Sequence, residues 1–382
     1  MTVAGFTSTG SKHPAALFGR TDGPFASRMD AADGCTIHTE DGRSYLDLVM
    51  ALGAVALGYH HPAVDAAVID AVQRGSVGSL PPIDEERLAT ELAASMPWLE
   101  QVRFLKTGAE AVAAAVRIAR TVTGRDLVLG CGYHGWLDWC SDAAGVPSPV
   151  MALYSTVPFN DCEATTARIR AAGGRLACVV IEPVVETAPS AEWLRILRDE
   201  TERAGALLIF DEVKTAFRLA IGGVAERFGF QPDLMVLGKA MANGYPLGAV
   251  GGSARIMAAV TRTWISSTAA TEIVSLAAAR ATLAVFRRQP VIEHLALTGG
   301  QLYQGLVQLA ERHADRGVHA TGIPQMCFLR FDDVATSERC AQACAARGLL
   351  IKRTAYNFVS LAHDAPSIDR ALAIIDEVLG AC

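Results

Sequence analysis

Two short stretches hold side chains placed for chemistry between an amine and an aldehyde. In LLIFDEV, residues 207–213, four apolar residues lead to Asp211 at the end of what reads as a buried strand. A carboxylate emerging there can pair with a buried cation. Two other roles stay open for it, a helix N-cap or a metal-binding pair with Glu212. The next apolar run, Leu234 to Leu237, is followed by Gly238, Lys239 and a loop of small residues, AMANGYPLGAVGG. A lone lysine is usually a solvated surface group. Here the apolar strand before it and the small residues after it predict a desolvated amine. A neutral amine condenses with an aldehyde to a Schiff base, and once displaced it can shuttle protons.

An acid after one strand and an amine after the next suit pyridoxal 5'-phosphate (PLP). Its protonated pyridine nitrogen would be the cation that Asp211 holds, which keeps the ring an electron sink for a carbanion at a substrate's α carbon. Three further motifs could complete such a site. Lys106-Thr107-Gly108-Ala109-Glu110-Ala111 lies between a strand and the helical run VAAAVRIAR. Backbone N–H groups at that helix start, a Thr hydroxyl and a Gly that permits close approach form an anion site for one phosphate. Thr107 is equally an ordinary N-cap, and the phosphate loop GxxxxGK[ST] is absent. Gly132-Tyr133-His134-Gly135-Trp136 sets aromatic rings among small residues, so Tyr133 is assigned to stacking on a planar ring and His134 to its support. In Val180-Ile181-Glu182-Pro183-Val184 a carboxylate ends a strand. Glu182 holds a neighbouring donor, lines the pocket or belongs to a surface loop.

The elements that would position these residues follow a regular rhythm. Residues 1–60 read as an N-terminal arm and hairpin, with strand-like pieces at Cys35 to His38 and Ser44 to Leu48 around the turn Asp41-Gly42. Amphipathic periodicity predicts helices over His61 to Gln73 and Asp84 to Ser95. Strands and helices then alternate: Val102 to Leu105, Ala109 to Arg120, Asp126 to Leu129, Cys162 to Ala171, Ala177 to Ile181, Ala191 to Arg203, Ala206 to Phe210 and Leu234 to Leu237. Short apolar strands between helices predict an α/β fold with a largely parallel sheet covered on both faces. Ligands in such sheets bind beyond the carboxyl ends of the strands, where Thr107, Tyr133, Glu182, Asp211 and Lys239 all fall. After an Ala-rich helix from Glu272 to Arg287 come the segment Val291 to His313, a Gly-containing stretch and the strand Gln325 to Phe331. The helix Ser337 to Arg347, strands near Leu350 and Asn357, and a last helix from Ser367 to Leu379 follow. The expected division is an N-terminal arm and part of the small domain over 1–60, a cofactor-binding large domain over 61–288 and a C-terminal small domain over 289–382.

Composition narrows the partners. Hydrophobic residues reach 51% and charged ones only 19%, which predicts that a partner subunit covers part of the surface. The net charge of -6, spread over 34 basic and 40 acidic residues, offers no basic footprint for nucleic acid. No apolar run spans a bilayer and the N-terminus has no signal-peptide pattern, so a cytoplasmic location is expected. The nine cysteines form no zinc-like set and read as reduced thiols, with Cys340 and Cys344 as a helical core pair.

Taken jointly, LLIFDEVKTAFR, PDLMVLGKAMANGYPLGAVGG, KTGAEA, YHG, IEPV and SLAHDAPSID resemble the class III (subgroup II) aminotransferases of the fold-type I PLP superfamily, particularly relatives of glutamate-1-semialdehyde aminomutase. The resemblance runs from about Asp41 to the C-terminus. It implies a large domain with a mostly parallel seven-stranded sheet plus a smaller α+β domain. It also implies Lys239 as the cofactor lysine, Asp211 on the pyridine nitrogen, Val213 on the ring face opposite Tyr133, and Gly108 and Ala109 as phosphate-binding amides. Thr268, ahead of a long small-residue helix, would reach the phosphate of a neighbouring subunit, which implies a homodimer. The implied reaction moves an amino group from a small-molecule donor to a keto or aldehyde acceptor. An intramolecular aminomutase or an epimerase uses the same residues, and a non-catalytic PLP-fold partner protein is the third reading. Some positions depart from the pattern: Thr107-Gly108-Ala109 replaces Ser-Gly-Thr, Thr187 stands where an Asn is usual, and Leu52 replaces a pocket Trp. The relatives' N-terminal arginine, which resembles a carboxylate clamp, has no clear counterpart in SKHPAALFGR, and Arg353 is a candidate for that task or a structural arginine.

Overall fold

The computed structural model describes residues 2–381 and divides into two compact units, Met1–Pro62 with Pro290–Cys382, and Ala63–Gln289. The second unit is built on a seven-stranded sheet. From one edge its strands run Gln101–Leu105, Gly248–Gly252, Leu234–Leu237, Leu207–Asp211, Leu176–Ile181, Leu127–Cys131 and Tyr154–Thr156. All are parallel except Gly248–Gly252, which pairs antiparallel with both neighbours. The three central strands, Leu176–Ile181, Leu207–Asp211 and Leu234–Leu237, are buried at every position, as continuous apolar runs between two helical layers require.

The Gly108–Thr123 helix shows how sequence fixes position here. Thr107 caps it, accepting the Glu110 N–H at 3.1 Å, while the Glu110 carboxylate accepts the Thr107 N–H at 3.0 Å. This reciprocal box satisfies backbone donors that the first turn would otherwise leave without partners. The helix then buries Ala111, Val112, Ala115, Val116, Ile118 and Ala119 against Val128, Cys178, Val180, Ile209 and Val236 of the sheet. Its first turn is thereby held at one end of the parallel strands.

In the first unit a four-stranded sheet runs Met29–Asp33, Thr36–Thr39, Ser44–Asp47 and Leu349–Leu350, the last strand parallel to its neighbour. The hairpin Val318–Ile323 with Met326–Phe331 and the helices Val291–Arg312, Val334–Ala346 and Ala365–Ala381 complete it. Cys340 and Cys344 are fully buried on one of those helices.

Several elements differ from the pattern read in the sequence. The helix expected from Ser337 begins at Val334, because Asp333 caps it and accepts the Thr336 N–H at 2.7 Å. The strand expected near Asn357 is a single bridge to Cys327. Strands Met29–Asp33, Tyr154–Thr156, Gly248–Gly252 and Val318–Ile323 were not anticipated. Gly248–Gly252 reads GAVGG and Val318–Ile323 reads VHATGI, both interrupted by the residue with least strand preference, so tertiary pairing rather than local propensity makes them strands.

Candidate active site

Five residues singled out by sequence, Thr107, Tyr133, Glu182, Asp211 and Lys239, stand at the carboxyl ends of strands in the Ala63–Gln289 unit, each delivered by a strand that stops beside it. Asp211 is the last residue of its strand and is 4% exposed. Its Oδ2 lies 2.9 Å from Nδ1 of His134, itself 4% exposed, and its Oδ1 accepts the Val213 N–H at 3.3 Å. His134 also stacks on Trp139 at 6.2 Å between centroids. His134 thus holds Asp211, while its buried Nε2 has no hydrogen-bond partner among the described residues.

Lys239 follows Gly238 with φ +44°, a left-handed conformation that costs a residue with a Cβ about 1–2 kcal/mol. Backbone strain of this kind persists where the surroundings impose it, and functional sites are where it gathers. Part of the lysine's surface stays open, but its amine is lodged inside the protein. Burial pushes the Lys239 pKa down. Glu182 and Asp211 pull it back up, and Lys214 and Arg218 push it further down.

Val213 lies between the two motifs. A Cβ on Gly108 would come within 3.1 Å of both Val213 methyls, and one on Gly238 within 3.4 Å of the nearer. Two glycines thus let a valine sit beside both the helix start and the lysine. At that helix start the Thr107 hydroxyl is spent on the capping box, which was the alternative reading of this residue. The N–H groups of Gly108 and Ala109 find no acceptor among the described residues, and they carry the positive end of the helix dipole. They can take an anion.

The Tyr133 loop is anchored by Glu182, whose Oε2 accepts the Tyr133 N–H at 2.8 Å. The carboxylate holds a donor, as one of its readings had it. Gly135 closes the loop with φ +103°. A Cβ there would lie 2.5 Å from Cβ of Ala109, so the aromatic loop and the helix start are packed directly on each other. Tyr133 and Trp136 themselves are 71% and 75% exposed in the single chain. Thr268, at the start of a short 3-10 turn, is exposed too, and no contact brings it to the residues above.

Sequence reasoning passed over Lys214. It is 7% exposed, and its Nζ sits 3.0 Å from Oε1 of Glu182. Its place three residues after Asp211 was the available signal. Arg218 is fully buried and its pKa is pushed down to about 10 by burial. Glu212 turns away from the cluster. Burial raises its pKa to about 7 despite hydrogen bonds from the Thr215 hydroxyl and the Val224 and Ala225 N–H groups, so it braces the following loop rather than forming a metal pair with Asp211. Arg353 belongs to the other unit, where its guanidinium donates to the carbonyls of Ala15 and Ala16 at 3.4 and 3.3 Å and faces Glu338 at 3.8 Å.

A desolvated amine, a buried carboxylate steadied by a histidine, an apolar side chain between them and open amides at a helix start make a site for a flat, anionic carbonyl compound. Comparison with known proteins bears on that chemistry. The family Aminotransferase class-III matches residues 18–379. Glutamate-1-semialdehyde 2,1-aminomutase of Thermomicrobium roseum is 37% identical over 379 residues, 89% of this chain and 87% of that one. Among solved structures, the FumI protein of Sphingopyxis sp. MTA144 in its PLP internal aldimine form aligns with TM-score 0.92 at 27% identity, covering 98% of this chain and 92% of that one. A β-phenylalanine aminotransferase from Variovorax paradoxus aligns with TM-score 0.87 at 28% identity, covering 100% of this chain and 91% of that one.

Proposed function

The chain belongs to the class-III aminotransferase family, whose cofactor is PLP, and from that premise we propose that Lys239 carries the cofactor and that Asp211 keeps its ring protonated. The observation that carries the reading is the placement of these two groups after adjacent parallel strands, the acid buried and the amine stripped of solvent. PLP, when bound, supplies an aldehyde that joins to amines and an electron-poor ring that draws charge from the neighbouring carbon. The residues present fit it. Gly108 and Ala109 offer open N–H groups to the phosphate, Val213 an apolar surface to one ring face, and Tyr133 a ring for the other.

The protein's own groups then divide the work. His134 fixes the direction of the Asp211 carboxylate through Nδ1, so the acid's charge is spent on the ring nitrogen and not on solvent. Lys239, whose hold on a proton is weakened by burial, gives way to an incoming amine. Its Nζ would accept the proton from the carbon bearing the amino group and return it to the carbon on the far side of that nitrogen. That sequence moves an amino group from a small-molecule donor to a keto or aldehyde acceptor. We assign the phosphate a second contact from the partner subunit's Thr268 in a homodimer. The exposure of Thr268, Tyr133, Trp136 and Trp264 in one chain supports this, since a second copy would cover them. Eight free thiols among the described residues support a reducing, cytoplasmic setting.

A second reading, an intramolecular aminomutase, is favoured by the 37% identity to an enzyme of that name. Mixing the holoenzyme with single amino donors such as alanine or glutamate separates the two. Transamination predicts that a donor alone converts the bound cofactor to its amine form and releases an oxo acid. No conversion by any donor, with turnover of a lone amino aldehyde instead, would replace it by the mutase reading.

A further inference from the structure

The strand-end cluster holds a second lysine, Lys214, and its partner is Glu182, an acid that follows another strand of the same sheet. Lys214 Nζ lies 3.0 Å from Oε1 of Glu182, with the two side chains 7% and 13% exposed. The other oxygen of that carboxylate accepts the Tyr133 N–H at 2.8 Å. Contact is tight on this side as well, since a Cβ on Gly132 would lie 2.6 Å from Glu182 Oε2. The charged groups that act on the Lys239 amine are Glu182, Lys214, Asp211 and Arg218, and of the four Glu182 acts most strongly. Asp211 is in turn engaged by His134. Glu182 left without a counterion would strengthen the hold of the Lys239 amine on its proton. Lys214 supplies that counterion from the residue next to Val213, and the same pair fixes where the aromatic loop begins.

We propose that Lys214 is a positioning residue for the cofactor lysine: paired with Glu182, it cancels the acid's pull on the Lys239 amine and anchors the loop that bears Tyr133. The role deepens the functional reading and rests on Lys239 being the attachment point. A merely structural ion pair would leave the proton affinity of Lys239 alone, and that difference is measurable in the full-length apoprotein without any turnover.

The experiment measures the rate at which an amine-acylating reagent modifies Lys239 as a function of pH, with the peptide quantified by mass spectrometry, in wild type, Lys214→Met, Glu182→Gln and the double variant. Lys214→Met is expected to raise the modification midpoint by about one pH unit, a tenfold loss of reactive amine at fixed pH. Glu182→Gln is expected to lower it, and the double variant to return it near wild type. An unmoved midpoint in a folded Lys214→Met protein overturns the proposal, as does a shift of both single variants in the same direction. Should Lys214→Met fail to fold, Lys214→Gln decides: a raised midpoint supports the role and an unchanged one overturns it. Attachment of the cofactor to some other lysine would sink the functional reading but leave these apoprotein midpoints as they are.

Discussion

At the scale of single residues the site depends on how its neighbours aim the Asp211 carboxylate and how burial weakens the hold of Lys239 on its proton. Asp211 sits under 5% exposed with a histidine nitrogen at 2.9 Å, so its carboxylate is aimed before any ligand arrives. Replacing it by Asn keeps the shape and removes the charge. Asp211→Asn is expected to lower kcat/KM on the order of 10²-fold or more while Tm stays near wild type, because the loss falls on charge stabilisation at the reacting carbon and not on packing. Steady-state kinetics beside a thermal melt checks this, and a variant within a few-fold of wild type would deny Asp211 its role. Both of these residues were legible in the sequence, since each follows a run of apolar residues that can only be a buried strand. Lys214 was not, because nothing in DEVKTAFR says which way a side chain after the strand end turns, and only the fold brings it to Glu182.

At the scale of elements the two units use turns that local preference would not choose. In the first unit Met50, Ala51, Leu52 and Gly53 have φ of +44°, +50°, +60° and +80°, a left-handed turn through three residues that carry a Cβ. Asp47 holds it: its carboxylate accepts the Val49 N–H at 2.7 Å, the Met50 N–H at 3.2 Å and the Tyr59 hydroxyl at 2.7 Å. Complete burial raises the Asp47 pKa from 3.8 to about 6, against the lowering effect of those hydrogen bonds. Between these values the folded chain retains a proton that the unfolded chain has released. Stability therefore falls as pH rises through that window, by roughly 3 kcal/mol from this group. Urea unfolding from pH 4 to 7 should show the fall, and Asp47→Asn should flatten it. An identical slope in the variant would place the effect elsewhere. The sequence placed strands and helices to within a few residues where apolar runs or capping residues mark them. It missed Gly248–Gly252 and Val318–Ile323, whose pairing comes from their neighbours in the sheet.

At the scale of the whole molecule the proposal requires two chains. A lone chain leaves Tyr133, Trp136 and Trp264 largely open, with Trp264 81% exposed, close in sequence to Thr268. If the partner subunit's Thr268 completes each phosphate site, variants of opposite kind should complement. Lys239→Ala and Thr268→Ala proteins, each impaired alone, should regain activity when unfolded together and refolded, because a hybrid dimer has one site with both residues intact. Mixed samples no more active than their average would remove Thr268 from the partner's site. The central claim, that one amine carries the cofactor, has a more direct test. Borohydride reduction of the PLP-loaded protein fixes the cofactor to whichever side chain holds it, and peptide mass spectrometry then locates the added mass. The account predicts the pyridoxyl label on Lys239 and its disappearance in Lys239→Ala. A label on any other lysine, Lys214 included, or none at all, would contradict it.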